Sequence, residues 1–406
     1  MPPKSREKKK DTQVKKEPPS TQPSPPVPSA SVMAILALIG LCCLNFVTNQ
    51  QLISPFTQQQ QKGQEHPQKG QEPPLDESGV CNITFVGELV PKDFTSIAVT
   101  NISDMMRFQN QPNASSTPVL TPHSSNATCE IFLWFPYAGH FPHFMQQFYR
   151  CWSFWNAYPL LKKQMVIQNH SRLRTKIQRQ GFTRAFTRVL PQLGIDLVKE
   201  IGPNHSSHNL HVRGSNFVEI PFQVVSKEDM PSLRRKMLSV LNLTNEVQEA
   251  CSDRLPRIAM VNRNSTRRIE NGNEILQDLK RYYHLKEPIP EIFFEGTYLV
   301  EQVRLLSNID ILITPHGAQE TNIVWMPKCG QVLEMMPDNY YFDFYFGTLA
   351  ATSGLNHLVY NVANDSHRYW GKSGKYRSVN FCLSKQLMRE GVDQLIQEWR
   401  TCCHQK

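Results

Sequence analysis

Residues 309–327 read IDILITPHGAQETNIVWMP. The first six, Ile309 to Thr314, form a short apolar run rich in β-branched residues, which predicts a buried strand. Pro315-His316-Gly317-Ala318 then breaks the run, and Ala318 to Met326 predicts a helix. A strand that stops at a small residue and hands over to a helix N-terminus aims unpaired backbone N–H groups and the helix dipole at one place, which makes an anion site.

The same alternation extends in both directions. Arg257 to Asn262 (RIAMVN) predicts a strand, and Glu270 to Tyr283 a helix with Ile275, Leu276 and Leu279 on one face. Glu287 to Gly296 predicts a strand, Thr297 to Asn308 a helix, and Gln331 to Pro337 a fourth strand. Four strands with three crossovers make a Rossmann-like unit, whose ligands sit beyond the C-terminal ends of the strands. The preceding half follows the same logic. Ile131 to Phe135 (IFLWF), Gln164 to His170, Ile195 to Ile201 and Phe217 to Val225 predict strands. Phe144 to Trp155, one or two basic segments within 172–194, and Met230 to Ala250 predict helices. The fold class is α/β with parallel sheets, in two Rossmann-like domains facing across a cleft: 129–250 and 251–365. Residues 366–406, with a helix around Trp399, are expected to pack back on the first domain.

The N-terminus reads differently. Residues 1–29 carry seven Lys or Arg against three acidic residues in a Pro/Ser-rich tract, a composition expected to be disordered. Residues 30–47 are 18 positions without charge, read as a transmembrane signal anchor, with a cleaved signal peptide as the alternative. The basic flank places residues 1–29 in the cytosol and the rest in the lumen. Residues 48–128, rich in Gln, Pro and Ser, read as a luminal stem. Asn-X-Ser/Thr sequons at Asn82, Asn101, Asn113, Asn126, Asn169, Asn204, Asn242, Asn264 and Asn364 all follow the apolar span, as glycosylation of a luminal body requires. Eight cysteines outside that span permit four disulfides in an oxidising lumen, and no Cys/His spacing suits zinc. The net charge of +9 is partly the tail's. The mild basic excess left over suits anionic small ligands and excludes a nucleic-acid footprint.

Three constellations carry candidate chemistry. Arg263, Arg267 and Arg268 follow the RIAMVN strand in a loop where guanidiniums can grip a diphosphate; a solvated loop with Asn264 glycosylated is the other reading. Glu274, on the next helix, is a candidate partner for an arginine or a ribose hydroxyl. His316, Gly317, Ala318, Thr321 and Asn322 form the opening anion site, beside Glu320. His140 and His143 lie in the first half's strand-to-helix turn, either poised as a general base or packed among Phe141, Phe144 and Trp152. No Asp-X-Asp occurs to hold a nucleotide-bound divalent ion, so no metal or cofactor is expected, and arginines and helix dipoles would stabilise a leaving diphosphate.

NRNSTRRIENGNEI followed by IDILITPHGAQETNIVWMPKCGQVLEMMP resembles the signature of glycosyltransferase family 61, which includes xylosyl-, arabinosyl- and O-linked N-acetylglucosaminyltransferases of the secretory pathway. Arg263, Arg267, Arg268, Asn271, Glu274, His316, Gly317, Ala318, Thr321, Asn322, Pro327, Gly330 and Glu334 match the family pattern, and YAGHFPHF places His143 rather than His140 on the family's histidine. Gln319 and Glu320 replace the family's Gly and Leu, and Gln147 stands where many members have Asp. The resemblance implies a GT-B-like fold, a UDP-sugar donor in the second half and inversion at the anomeric carbon. A single-pass type II protein of the Golgi or ER membrane follows, transferring xylose, arabinose or N-acetylglucosamine to a glycan or glycoprotein. A non-catalytic lectin-like or scaffold protein of the same fold is the alternative. A sulfotransferase is a further rival, but no phosphate-binding P-loop motif follows the stem.

Overall fold

A computed structural model of the chain describes residues 89–91, 99, 126–131, 140–167, 181–198, 210–213, 221–247, 251, 255–337, 343–362 and 380–405. The tail 1–29, the expected anchor 30–47 and the sequons at Asn82, Asn101, Asn113, Asn169, Asn204 and Asn364 lie outside these residues. Among the described residues no helix is long and apolar enough to cross a membrane.

The strands are β1 (Leu89–Pro91), β2 (Asn126–Ile131), β3 (Lys162–Ile167), β4 (Asp196–Val198), β5 (Leu210–Arg213), β6 (Ile258–Asn262), β7 (Glu291–Phe293), β8 (Ile311–Pro315), β9 (Gln331–Met336) and β10 (Asn356–Asn361). The α-helices are α1 (Phe141–Ala157), α2 (Gly181–Val189), α3 (Asp229–Val240), α4 (Gly272–Tyr282), α5 (Leu299–Leu306), α6 (Asp343–Thr352) and α7 (Lys385–His404). One sheet is β4-β3-β2-β5, parallel throughout. The other is β1-β10-β9-β8-β6-β7, parallel except for β1 at its edge.

The second sheet is covered on both faces, which is why its strands read as unbroken apolar runs. Along β6, Ile258 and Met260 face a core shared with α4 and α7, while Ala259 and Val261 face a core continuous with the first half. Ile311 and Ile313 of β8 split from Leu312 in the same way. From β6 the chain runs to β7 on one side and then crosses to β8 on the other, so the switch point lies between β6 and β8. In the first sheet the corresponding point lies between β2 and β5.

Several expectations are corrected. Part of the expected stem is sheet: Leu89–Pro91 pairs with β10, and Asn126–Thr128 belong to β2. That strand is set further toward the N-terminus than Ile131 to Phe135, because Ala127, Cys129 and Ile131 point into the core and Cys129 is bonded to Cys151 of α1. Residues 221–225 of the expected strand Phe217 to Val225 make a turn and one bridge, Val99 to Val224, while β5 was not anticipated. The helix expected to Ala250 stops at Val240. Asn242 adopts a left-handed φ of 57° and Leu243 N–H returns to Leu238 O at 2.8 Å, a closure that ends helices.

The C-terminal helix α7 packs on the second sheet, not on the first half. Met388, Val392, Leu395 and Ile396 enter the core beneath β8, β9 and β10. Disulfides Cys329–Cys402 and Cys251–Cys403 fix its end, and Cys382 is also disulfide-bonded. At its start, the buried amide of Asn271 donates to Leu383 O at 2.8 Å and accepts from Leu383 N at 2.9 Å.

Asp278 of α4 accepts from Arg389 Nε at 2.7 Å and Nη2 at 2.5 Å. That hydrogen bonding, opposed by burial and helped by the charges of Arg389, Arg281 and Lys385, holds the Asp278 carboxyl below its ordinary value. A depressed folded value gives stability that is complete above the unfolded value and is lost as pH falls through the folded one. Asp278→Asn is therefore expected to lower Tm at pH 7, and the gap to wild type is expected to close below about pH 4 in thermal melts taken from pH 7 to pH 3.

Candidate functional site

Two strand-end loops meet at the switch point of the second sheet. The first, after β6, is shaped by the buried Asn262. Its Oδ1 accepts from Arg263 N at 2.8 Å and Ile269 N at 2.9 Å, while its Nδ2 donates to Ile269 O and Glu291 Oε1. This one side chain closes the loop on itself and forces the intervening residues outward, with Arg267 left-handed at φ 60°. Arg263 turns inward, donating from Nε to Thr266 O at 2.6 Å and from Nη1 to Gln319 Oε1 at 2.9 Å. Arg267 lies where its charge acts on Glu320. Arg268 is directed elsewhere: its guanidinium pairs with Glu270 at 3.9 Å and its backbone N–H meets Asn380. Glu274 pairs with Lys385 at 3.9 Å, which ties it to α7. Asn264 is exposed, as is Asn242 at its turn, so both sequons are open to a glycan; Asn126 opens β2, with its sequon Thr128 buried.

The second loop follows β8. His316 is 6% exposed and its Nδ1 bonds Glu334 Oε1 on β9. Glu334 Oε2 in turn accepts from His357 Nε2 of β10 at 2.7 Å. The carboxylate thus bridges imidazoles from the ends of neighbouring strands. Glu320 is fully buried, and its Oε1 accepts from Gly317 N at 2.6 Å. Burial, then the nearby Glu334 charge, raise its carboxyl well above the ordinary value. Two adjacent carboxyls buried this deeply resist ionising together, and Glu320 is the one pushed toward its protonated form. His316, Glu320 and Glu334 place ligand atoms within 4.8 Å of one another, a spacing a divalent ion could bridge.

The helix expected after Gly317 is present as a 3₁₀ helix, Ala318–Trp325. Asn322 explains part of this: Nδ2 donates to Gln302 Oε1 at 2.8 Å and to Gln319 O, and Oδ1 accepts from Trp325 Nε1 at 3.0 Å. Its amide is spent on packing. Thr321 is also fully buried. Gly317 and Ala318 remain at the loop, where a Cβ on Gly317 would collide with Arg263 Nη1.

The first half reaches this wall through α1 and α3. Tyr149 donates to Thr321 O at 3.3 Å, burial keeping its hydroxyl protonated, and Arg234 Nε donates to Trp325 O at 2.8 Å. His143 sits on the first turn of α1, 3.3 Å from the Tyr345 hydroxyl, which lies 3.4 Å from Gln146 Oε1. Tyr345 contacts Phe346, whose ring centroid is 5.4 Å from that of His316. The two histidines are thereby joined through α6. His140 is exposed at the helix N-cap, its ring 5.2 Å from that of His143.

The structure therefore gathers Arg263, His316, Gly317 and Ala318, with Arg267 beside Glu320 and His143 across α6, and separates Arg268, Glu274 and Asn322 from that group. Asn262, Tyr345 and His357 were given no role from sequence. The available signal was a polar residue inside an apolar strand, seen at Glu334 in QVLEMM and at His357 in NHLVYN.

Compared with known proteins, residues 141–333 match a family model described as Glycosyltransferase 61. The chain is 25% identical over 171 residues, 39% of its length and 32% of the other's, to the EGF domain-specific O-linked N-acetylglucosamine transferase of Canis lupus familiaris. It is 28% identical over 153 residues (35% and 28%) to that of Gallus gallus. It is 28% identical over 127 residues (29% and 22%) to the protein O-linked-mannose beta-1,4-N-acetylglucosaminyltransferase 2 of Mus musculus. The match spans about a third or less of the length of these relatives.

Because Glu320 is raised, the folded state holds a proton there that the unfolded state releases above about pH 4.3, so this group's contribution to stability falls as pH rises from that value. Glu320→Gln keeps the Gly317 bond and cannot ionise. Its Tm is expected to equal wild type near pH 4 and to exceed it increasingly toward pH 8 in the same buffer series.

Proposed function

We propose, on the premise that residues 141–333 of this chain belong to glycosyltransferase family 61, that the protein is a metal-independent inverting transferase. It moves a sugar from a UDP-sugar to a glycan or glycoprotein in the ER or Golgi lumen. The observation that carries this reading is the meeting of Arg263 with the His316–Gly317 loop at the switch point, facing His143 through Tyr345. The named relatives are N-acetylglucosaminyltransferases, which favours that sugar over xylose or arabinose. A GT-B-like arrangement puts donor on the second sheet and acceptor on the first. Disulfides Cys129–Cys151, Cys251–Cys403 and Cys329–Cys402, with Cys382 also bonded, suit an oxidising lumen, and residues 30–47 are the proposed single-pass type II anchor.

The reaction is one displacement. If Tyr345 gives its proton to Gln146, its oxygen accepts from His143 Nδ1–H, the tautomer that leaves Nε2 basic. Nε2 takes the acceptor hydroxyl's proton as the oxygen attacks the anomeric carbon from the face opposite the leaving group. The bond from that carbon to the diphosphate oxygen breaks, and Arg263 and Arg267 stabilise the UDP that departs.

A second reading, a non-catalytic lectin-like or scaffold protein of the same fold, is favoured by one feature, the contact that Gln319 already makes with Arg263. Stabilisation by UDP separates the two readings. Full-length protein in detergent, screened against UDP-N-acetylglucosamine, UDP-xylose and UDP-arabinose, is expected to release UDP from one of them; neither turnover nor a UDP-induced rise in Tm would leave the second reading. His143→Ala is expected to lower kcat for donor hydrolysis by about 100-fold with KM little changed. His140→Ala should act weakly; equal small effects would remove His143 as base. Arg263→Ala is expected to raise donor KM about ten-fold.

A further inference from the structure

The loop after β8 already fills, with its own side chains, the positions an anion would occupy. Gln319 folds back over Gly317. Its Oε1 accepts from Arg263 Nη1 at 2.9 Å, while its Nε2 donates to Pro315 O at 2.5 Å and lies 3.3 Å from Thr314 Oγ1. One residue further on, Glu320 Oε1 takes the Gly317 N–H. Gly317 makes room for this, since a Cβ there would stand 2.5 Å from Gln319 Oε1 and would strike Arg263 Nη1. The bare face of a strand-end glycine is where a phosphate comes closest to the backbone. In this chain a neutral carboxamide covers it.

The two occupants differ in mobility. Glu320 is fully buried beneath the loop, whereas Gln319 is only half-buried and is held by three hydrogen bonds to uncharged or singly charged groups. A phosphate oxygen on a guanidinium makes a bond charged on both sides, where the amide oxygen supplies only a dipole. It outcompetes the amide on Arg263, but only at the cost of the Pro315 and Thr314 bonds.

We propose that Gln319 is a specificity-determining residue: it occupies the phosphate position on Arg263, and only a ligand with enough charged oxygens, a nucleoside diphosphate rather than a monophosphate, displaces it. This rests on the reading of Arg263 and Gly317 as donor-binding. The side chain lowers affinity for every phosphate ligand and lowers it most for those that gain fewest bonds to Arg263.

Calorimetric titration of full-length wild type, Gln319→Gly and Gln319→Ala with UDP and with UMP tests this. Both variants are expected to bind UDP about five-fold tighter than wild type or more, and the preference for UDP over UMP is expected to shrink. Adding Arg263→Ala to either variant should abolish the gain, since the gain depends on the guanidinium released. Two substitutions guard against one that disturbs folding, which apo melting curves report. Unchanged or weaker UDP binding in both variants, with wild type still binding UDP, overturns the role of Gln319 and leaves the donor site standing. Absence of UDP binding in wild type and both variants overturns both.

Discussion

A buried carboxylate between two imidazoles holds the functional end of the second sheet together. Glu334, within β9, takes bonds from His316 just past the end of β8 and from His357 near the start of β10, so the three strands are tied by one charged group as well as by their ladders. A charge this deep is tolerated only with partners on both oxygens. It also bears on its neighbour: Glu320, fully buried with Glu334 alongside, is pushed toward its protonated form and accepts from Gly317 N–H. That bond helps to hold the loop at the switch point.

The two halves meet through an element too short to be stable alone. The 3₁₀ helix Ala318–Trp325 receives Tyr149 from α1 at the Thr321 carbonyl and Arg234 from α3 at the Trp325 carbonyl. Asn322 locks it from the other side through Gln302 and Trp325. Side chains of the first half therefore set the position of the second half's ligand loop, and α6 adds Tyr345 and Phe346 between His143 and His316.

Much of the second sheet was legible because β6, β8 and β9 are buried on both faces and are mostly apolar. The strand ends, and with them Arg263 and His316, could be placed from that pattern alone. Less legible were elements whose partners are remote. The three residues Leu89–Pro91, at the end of an alternating apolar stretch, form a strand against β10, a partner that local pattern does not name. DFYFGTLAAT of α6 is apolar nearly throughout, so no face stands out. NHLVYN conceals a strand because His357 interrupts its apolar run, and that histidine is there to meet Glu334. The C-terminal helix has a clear apolar face, yet periodicity does not say which sheet it covers; Asn271 and the disulfides to Cys251 and Cys329 settle that.

By itself the sequence determined the alternation of strands and helices, the parallel sheets, and the loops that stand at the strand ends, because these depend on local periodicity and on glycine and proline punctuation. It also supplied Gln319 and Glu320 as departures in an otherwise matching loop. Only the tertiary structure decided what individual side chains do there. Arg268, Glu274 and Asn322 carry the right chemistry but are bonded to Glu270, Lys385 and Gln302, whereas Arg263 faces Gly317. The reason is physical: the partner a polar side chain finds is set by where folding brings other residues, as between Glu274 and Lys385 or Arg263 and Gln319, which lie far apart in the chain.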